Sequence, residues 1–180
     1  IDEFPKGAES HLRKALSILV NQAIPVLVHA ELENGVETSN SNQTYESFQA
    51  TRPKSWENNA IKLLIELCRE YGIHIHIVHL SSSDILPEIS QTRDEGLPLT
   101  VETCPHYLHF TSERISDGDT RFKCAPPIWD ADNREKLWLG LEKGTIDFIT
   151  SDHSPCTPEL KKLDTGDFQM AWGGISSIQF

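Results

Sequence analysis

The chain has 180 residues, of which 38% are hydrophobic and 24% charged, proportions that suit a globular protein able to bury a core. Its formal net charge of -11 argues against a nucleic-acid surface, which needs clustered Lys and Arg to neutralise phosphates, and a small neutral substrate fits better. No apolar run reaches membrane-spanning length, so the expectation is a soluble, intracellular protein, and Cys68, Cys104, Cys124 and Cys156 lack CxxC spacing and read as reduced thiols.

The first residues, Ile1-Asp2-Glu3-Phe4-Pro5, carry neither an initiator Met nor a basic leader, and the expectation is an interior fragment. Leu12, Ala15, Leu16, Leu19 and Val20 recur at helical spacing over residues 8–22, and residues 25–29 read as a short buried strand. Residues 35–53 turn polar and rich in Asn, Ser and Thr, with Tyr45 and Phe48 the only large apolar groups, and read as a long loop. Residues 56–71 form a helix with Ile61, Leu64, Ile65 and Cys68 on one face, stopped by Gly72, and residues 73–80 a β-branched strand. Ser83 caps a helix over about 85–95, residues 99–103 make the next strand, 131–143 a further helix and 145–150 a further strand.

Helices alternating with short apolar strands predict an α/β fold with a parallel sheet, either doubly wound or closed as a barrel. No Gly-rich phosphate-binding turn follows any strand, which lowers the odds of a nucleotide-binding sheet.

Three strands end in residues that apolar packing does not call for: His29, His79 and Asp152. In a parallel barrel the carboxyl-terminal strand ends converge on one face, where active sites are built. Imidazole and carboxylate together suit a zinc-type ion; equally, a strand-end His serves as a hydrogen-bonded structural group and Asp as a turn or helix cap. His74 and His76 form an HxH pair at the opening of their strand, the wrong end for ligands, and strict alternation turns them toward the helices or the lower rim unless a bulge intervenes. His106 follows a strand and is a candidate for lining the site. With no Gly-x-Ser-x-Gly elbow and no Cys in an activating context, metal-activated water is the simplest nucleophile.

The segments Val28-His29-Ala30-Glu31, Ile77-Val78-His79-Leu80-Ser81, Glu102-Thr103-Cys104-Pro105-His106-Tyr107-Leu108, Lys123-Cys124-Ala125-Pro126-Pro127-Ile128 and Ser151-Asp152-His153-Ser154-Pro155 together resemble the cyclic amidohydrolases. Lys123-Cys124-Ala125-Pro126-Pro127 with Ala171-Trp172-Gly173-Gly174-Ile175 resembles the allantoinase branch over the dihydropyrimidinase and hydantoinase branches. The resemblance implies the C-terminal portion of a (β/α)₈ TIM-type barrel, residues 1–180 supplying about strands 5 to 8. It implies a binuclear centre, usually zinc, bridged by hydroxide and by a carboxylated lysine that lies outside this chain. His29 and His79 are then expected on one metal, and Asp152 on the other as general base and then acid. Cys124, Ala125, His153, Ser154, Gly173 and Gly174 are expected to contact the small-molecule substrate, allantoin, in a homo-oligomeric, tetrameric enzyme. Trp129 stands where the family often has Arg, which puts a loop salt bridge there in doubt. Two other readings are a ring-opening amidase acting on dihydropyrimidines or hydantoins and a non-catalytic scaffold that shares the fold. Residues 1–180 alone are expected to be inactive and to fold weakly or associate.

Overall fold

The computed structural model describes residues 7–33 and 41–178. Helix α1 (Glu9–Leu19) turns Leu12, Leu16 and Leu19 to one side, with Leu16 fully buried and its two neighbours packed on the same core. Strand β1 (Val26–Val28) follows. Part of the stretch expected as loop is helix instead: α2 (Tyr45–Thr51) starts at Thr44, whose Oγ1 accepts from Ser47 N at 3.2 Å. A helix of this length is unstable alone. Tyr45 and Phe48 hold it by packing on Phe168, with ring centroids 5.4 and 6.0 Å away, a contact that local sequence does not reveal. Residues 35–40 of the expected loop lie outside the described residues.

Helix α3 (Lys54–Tyr71) buries Ala60, Ile61, Leu64, Ile65, Leu67 and Cys68. It ends at Gly72, whose φ of 61° is left-handed and whose N–H reaches Cys68 O at 2.9 Å. Strand β2 (Ile75–Ile77) is followed by a 3₁₀ turn, Ser83–Ile85, capped by Ser82 and not by Ser83, and then by α4 (Leu86–Asp94). Strand β3 (Leu99–Thr103) matches its expected bounds and leads into the short α5 (Pro105–His109). Helix α6 (Ala131–Glu142) is capped by Asp130, and β4 (Phe148–Ile149) is shorter than its apolar run suggested.

The four strands form one parallel sheet in the order β1-β2-β3-β4. A doubly wound sheet reverses its strand order at a switch point; here every strand adds beside its predecessor, as in a stretch of barrel wall. Ile75, Ile77, Leu99 and Val101 face the helices and are buried. On the opposite face Leu27, His76 and Thr100 are register partners, and Leu27 is 62% exposed.

His76 therefore faces away from the helices, contrary to the expectation from strict alternation. The reason is local: His79 has φ 42°, and a left-handed residue just past the strand re-aims its side chain and breaks the period of two. His74 Nε2 and His76 Nδ1 both lie 2.8 Å from Thr100 Oγ1, and His76 Nε2 lies 3.0 Å from Glu102 Oε2.

The turn after β2 is clamped from several sides. Glu57 is buried and its carboxylate accepts from Ser81 N at 2.9 Å and Ser82 N at 2.7 Å, while Asn133 accepts from Ser83 N and donates to Ser81 O. Burial raises the Glu57 pKa to about 7 against the lowering effect of the two N–H groups. A folded-state pKa raised above the unfolded value makes this group's contribution to stability full below about pH 4.5 and lost as pH rises through 7. Relative to Glu57→Gln, the wild-type protein is thus expected to lose stability across that window in denaturant melts. A difference that stays flat with pH would remove Glu57 as the source.

Candidate active site

The carboxyl-terminal strand ends deliver the three residues singled out from the sequence. His29 directly follows β1, and His79 and Asp152 lie just beyond β2 and β4. His79 and Asp152 share the same left-handed backbone, φ 42°, a conformation that costs a non-glycine residue about 1–3 kcal/mol and is concentrated at functional sites.

His29 Nδ1 and His79 Nε2 approach to 2.9 Å, with the rings edge-on at a centroid distance of 4.7 Å. Burial, followed by the neighbouring His29, lowers the His79 pKa to about 3, so its ring is the neutral form that ligates metals at pH 7. The other nitrogen of His29, Nε2, lies 3.3 Å from Glu31 Oε2. Glu31 in turn accepts from Arg52 Nη1 at 2.6 and 2.7 Å. Burial pushes the Glu31 carboxyl up, but the His29 hydrogen bond and the Arg52 charge outweigh it and bring its pKa to about 2. The two ring nitrogens face each other at hydrogen-bond distance, and with a carboxylate orienting one of the rings the donor types, two imidazoles and a backing carboxylate, are those that suit a zinc-type ion.

Asp152 stands apart from this pair. Among the described residues no group of three or more His, Cys, Asp or Glu side chains is placed to hold a metal ion. Burial and the nearby Glu102 carboxylate raise the Asp152 pKa, while His29 lowers it, so these groups share one electrostatic field. Glu102 is fixed by Thr150 Oγ1, which donates to its Oε1 at 2.7 Å, and by His76.

The residues expected to contact substrate come together. Ala125 N donates to Gly173 O at 3.2 Å, and Ser154 N donates to Ile175 O at 3.0 Å beside a His153–Ile175 bridge. Gly174 packs so closely on Ser154 that an added Cβ would lie 2.7 Å from Ser154 O, which explains glycine there. His153 Nδ1 accepts from Ser177 N at 3.0 Å. Cys124 is buried and its thiol pKa is pushed up to about 12 by burial, which makes it a neutral, enclosed thiol. The following turn is latched by Tyr107 Oη donating to Pro126 O, Ser81 Oγ to Pro127 O and Ile128 N to Tyr45 Oη.

His106 sits fully buried, and neither ring nitrogen meets a partner among the described residues. The Trp129 ring receives the Lys54 ammonium at 5.4 Å, a cation–π contact in place of a salt bridge from an Arg. Glu31, Arg52 and Glu57 escaped the sequence reading as site residues. Glu31 had a signal, standing two positions after His29, whereas Arg52 lies in a polar stretch with none.

No protein-family model matches the chain. Among curated proteins it is 48% identical to an allantoinase from Arabidopsis thaliana over 192 residues, covering 100% of this chain and 38% of the relative. It is 44% identical over 185 residues to an allantoinase from Saccharomyces cerevisiae, covering 99% of this chain and 40% of the relative. Solved structures of a D-hydantoinase and of a dihydropyrimidinase from Brevibacillus agri superpose with TM-scores of 0.85 and 0.83, at 25% and 26% identity. Each of these covers 96% of this chain and 40% of the other. The chain spans about two fifths of the length of these proteins. Sequence identity along its whole length, carried on a sheet that superposes on those barrels, identifies the chain as belonging to the allantoinase branch of the cyclic amidohydrolase family.

Proposed function

We propose that the protein containing this chain opens the hydantoin ring of allantoin by hydrolysis to give allantoate. In this reading residues 1–180 supply about strands 5 to 8 of a (β/α)₈ barrel. The observation that carries it is the His29–His79 pair, converging at two strand ends with Glu31 and Arg52 behind it; the allantoinase relatives favour allantoin over other cyclic amides.

His29 and His79 would hold one divalent metal, zinc by the chemistry of two imidazoles, and Asp152 would contribute to a second. When bound, the metal supplies Lewis acidity, bringing water toward ionisation near neutral pH and polarising the ring carbonyl. Asp152 takes the proton from the attacking water. The new C–O bond forms at the ring carbonyl carbon, the ring C–N bond breaks, and Asp152 returns the proton to the departing nitrogen. Main-chain groups at 124–125, 153–154 and 173–174 seat the ring. Glu31 fixes the His29 ring through Nε2 and would leave Nδ1 for a metal, so Glu31→Gln is expected to weaken zinc binding by about 10–100-fold in a competition titration. Unchanged affinity would leave Glu31 with a purely structural part.

Side-by-side assays of the zinc-loaded full-length protein test the whole reading. Allantoin turnover well above dihydrouracil turnover is expected. The reverse order would assign the ring-opening amidase of dihydropyrimidines, and a full-length protein that binds no zinc, manganese or cobalt would be a scaffold. The sheet face with Leu27 and Phe148 would line the barrel interior. Residues 1–180 produced alone are accordingly expected to self-associate in sedimentation velocity, and a monomer with a cooperative melt would count against the partial-barrel assignment.

A further inference from the structure

Lys161 and Lys123 are buried, with 7% and 1% of their surfaces exposed, and lysine is almost never buried unless its charge is satisfied. Lys161 Nζ donates to three main-chain carbonyls, Lys123 O at 2.7 Å, Trp172 O at 2.9 Å and Gly174 O at 2.5 Å. Lys123 Nζ donates to Gln169 O at 3.0 Å and Ala171 O at 2.6 Å and lies 5.5 Å above the Phe48 ring.

Of the carbonyls that Lys161 holds, Gly174 O lies in, and Lys123 O and Trp172 O directly precede, two of the three segments that the functional reading makes substrate-binding. A peptide unit is planar, so holding the carbonyl of one residue fixes the direction of the next residue's N–H. Lys161 thus orients Cys124 N–H through Lys123 O and Gly173 N–H through Trp172 O. Ala125 N, donating to Gly173 O at 3.2 Å, closes the same unit from the other side. An ammonium suits this junction because its donors radiate from one point toward converging oxygens, whereas the planar guanidinium of Arg spreads its donors in a fork.

We propose that Lys161 is a positioning residue of the ring-opening reaction: its ammonium ties the segment before Cys124 to the Trp172–Gly174 turn and so presets the main-chain groups that seat the cyclic amide. The proposal rests on the functional reading above. The carbonyls that Lys161 holds, Lys123 O, Trp172 O and Gly174 O, border the segments that seat the ring, so its effect is expected on substrate seating and not on metal content.

The test uses the full-length, zinc-loaded protein. Lys161→Met is expected to keep wild-type zinc content and to raise KM for allantoin by about tenfold or more with kcat changed by less than about threefold. In Lys161→Ala, propylammonium, which replaces the missing methylenes and the charge, is expected to recover most of the lost kcat/KM, and 1-propanol is not. Hydrogen exchange at Ala125 N–H, read without substrate, is expected to quicken in both variants. Wild-type KM in Lys161→Met, a fall in kcat alone, or equal rescue by propanol would each overturn the proposal. If both variants fail to fold, Lys161→Arg takes their place: a folded Arg variant with raised KM supports the clamp, and one with wild-type KM, or one that is also unfolded or zinc-free, overturns it. Absence of allantoin turnover in the wild-type protein would instead defeat the functional reading, and the exchange measurement would still report on the clamp itself.

Discussion

Asp152→Asn in the full-length protein is expected to lower kcat for allantoin by about 10³-fold, mid-range for removing a positioned acid–base group. The amide matches the carboxylate in shape and tolerates the left-handed backbone that Asp152 adopts at φ 42°, since Asn is among the residues enriched there. What it loses is the ability to take a proton from water and return it to the ring nitrogen. His29 and His79 do not depend on Asp152 for their mutual approach at 2.9 Å, so under the proposed function the metal at this pair is expected to stay bound and the one at Asp152 to be only partly lost. Single-turnover rates and zinc content measured on the same preparation separate these effects. Near-normal turnover would take Asp152 out of proton transfer.

Removing the His79 ring acts by the opposite route. His79→Ala is expected to lower zinc affinity by more than about 100-fold, beyond the effect of deleting an outer hydrogen-bond partner, and to abolish activity with it. Ala at φ 42° also carries backbone strain, so His79→Gly provides the comparison in which the ring is lost and the left-handed conformation is free. Equal zinc loss in both variants assigns the effect to the imidazole. Zinc loss in Ala but not in Gly would assign it to the strained turn that Glu57 and Asn133 hold in place.

Much of this site was legible because its residues interrupt an obvious pattern. His29 and His79 close apolar runs of the sequence, Val26-Leu27-Val28 and Ile75 to Val78, and Asp152 comes shortly after Phe148-Ile149, so each stands out as a polar group against an apolar strand pattern. The α3 boundary at Gly72 and the span of β3 were equally plain, since a left-handed helix end favours glycine and a strand between Pro98 and Pro105 has little room to move. Helix α2 was hidden because seven residues are too few to display a period and its stability comes from Phe168, more than a hundred positions away. His76 was misplaced because alternation was carried through His79, whose positive φ breaks it.

By itself the sequence determined the alternation of helices and parallel strands, the carboxyl-terminal strand ends as the chemical face, and the residue types offered there, because hydrophobic periodicity and its interruptions are local properties. The tertiary structure decided the rest. It set the strand order that favours barrel wall over doubly wound sheet, brought His29 Nδ1 and His79 Nε2 to 2.9 Å from each other, backed them with Glu31 and Arg52, and buried Lys161 under carbonyls of Lys123, Trp172 and Gly174. Those features depend on which segments meet in space, and a contact between Lys161 and Lys123, or Arg52 and Glu31, leaves no periodic trace along the chain.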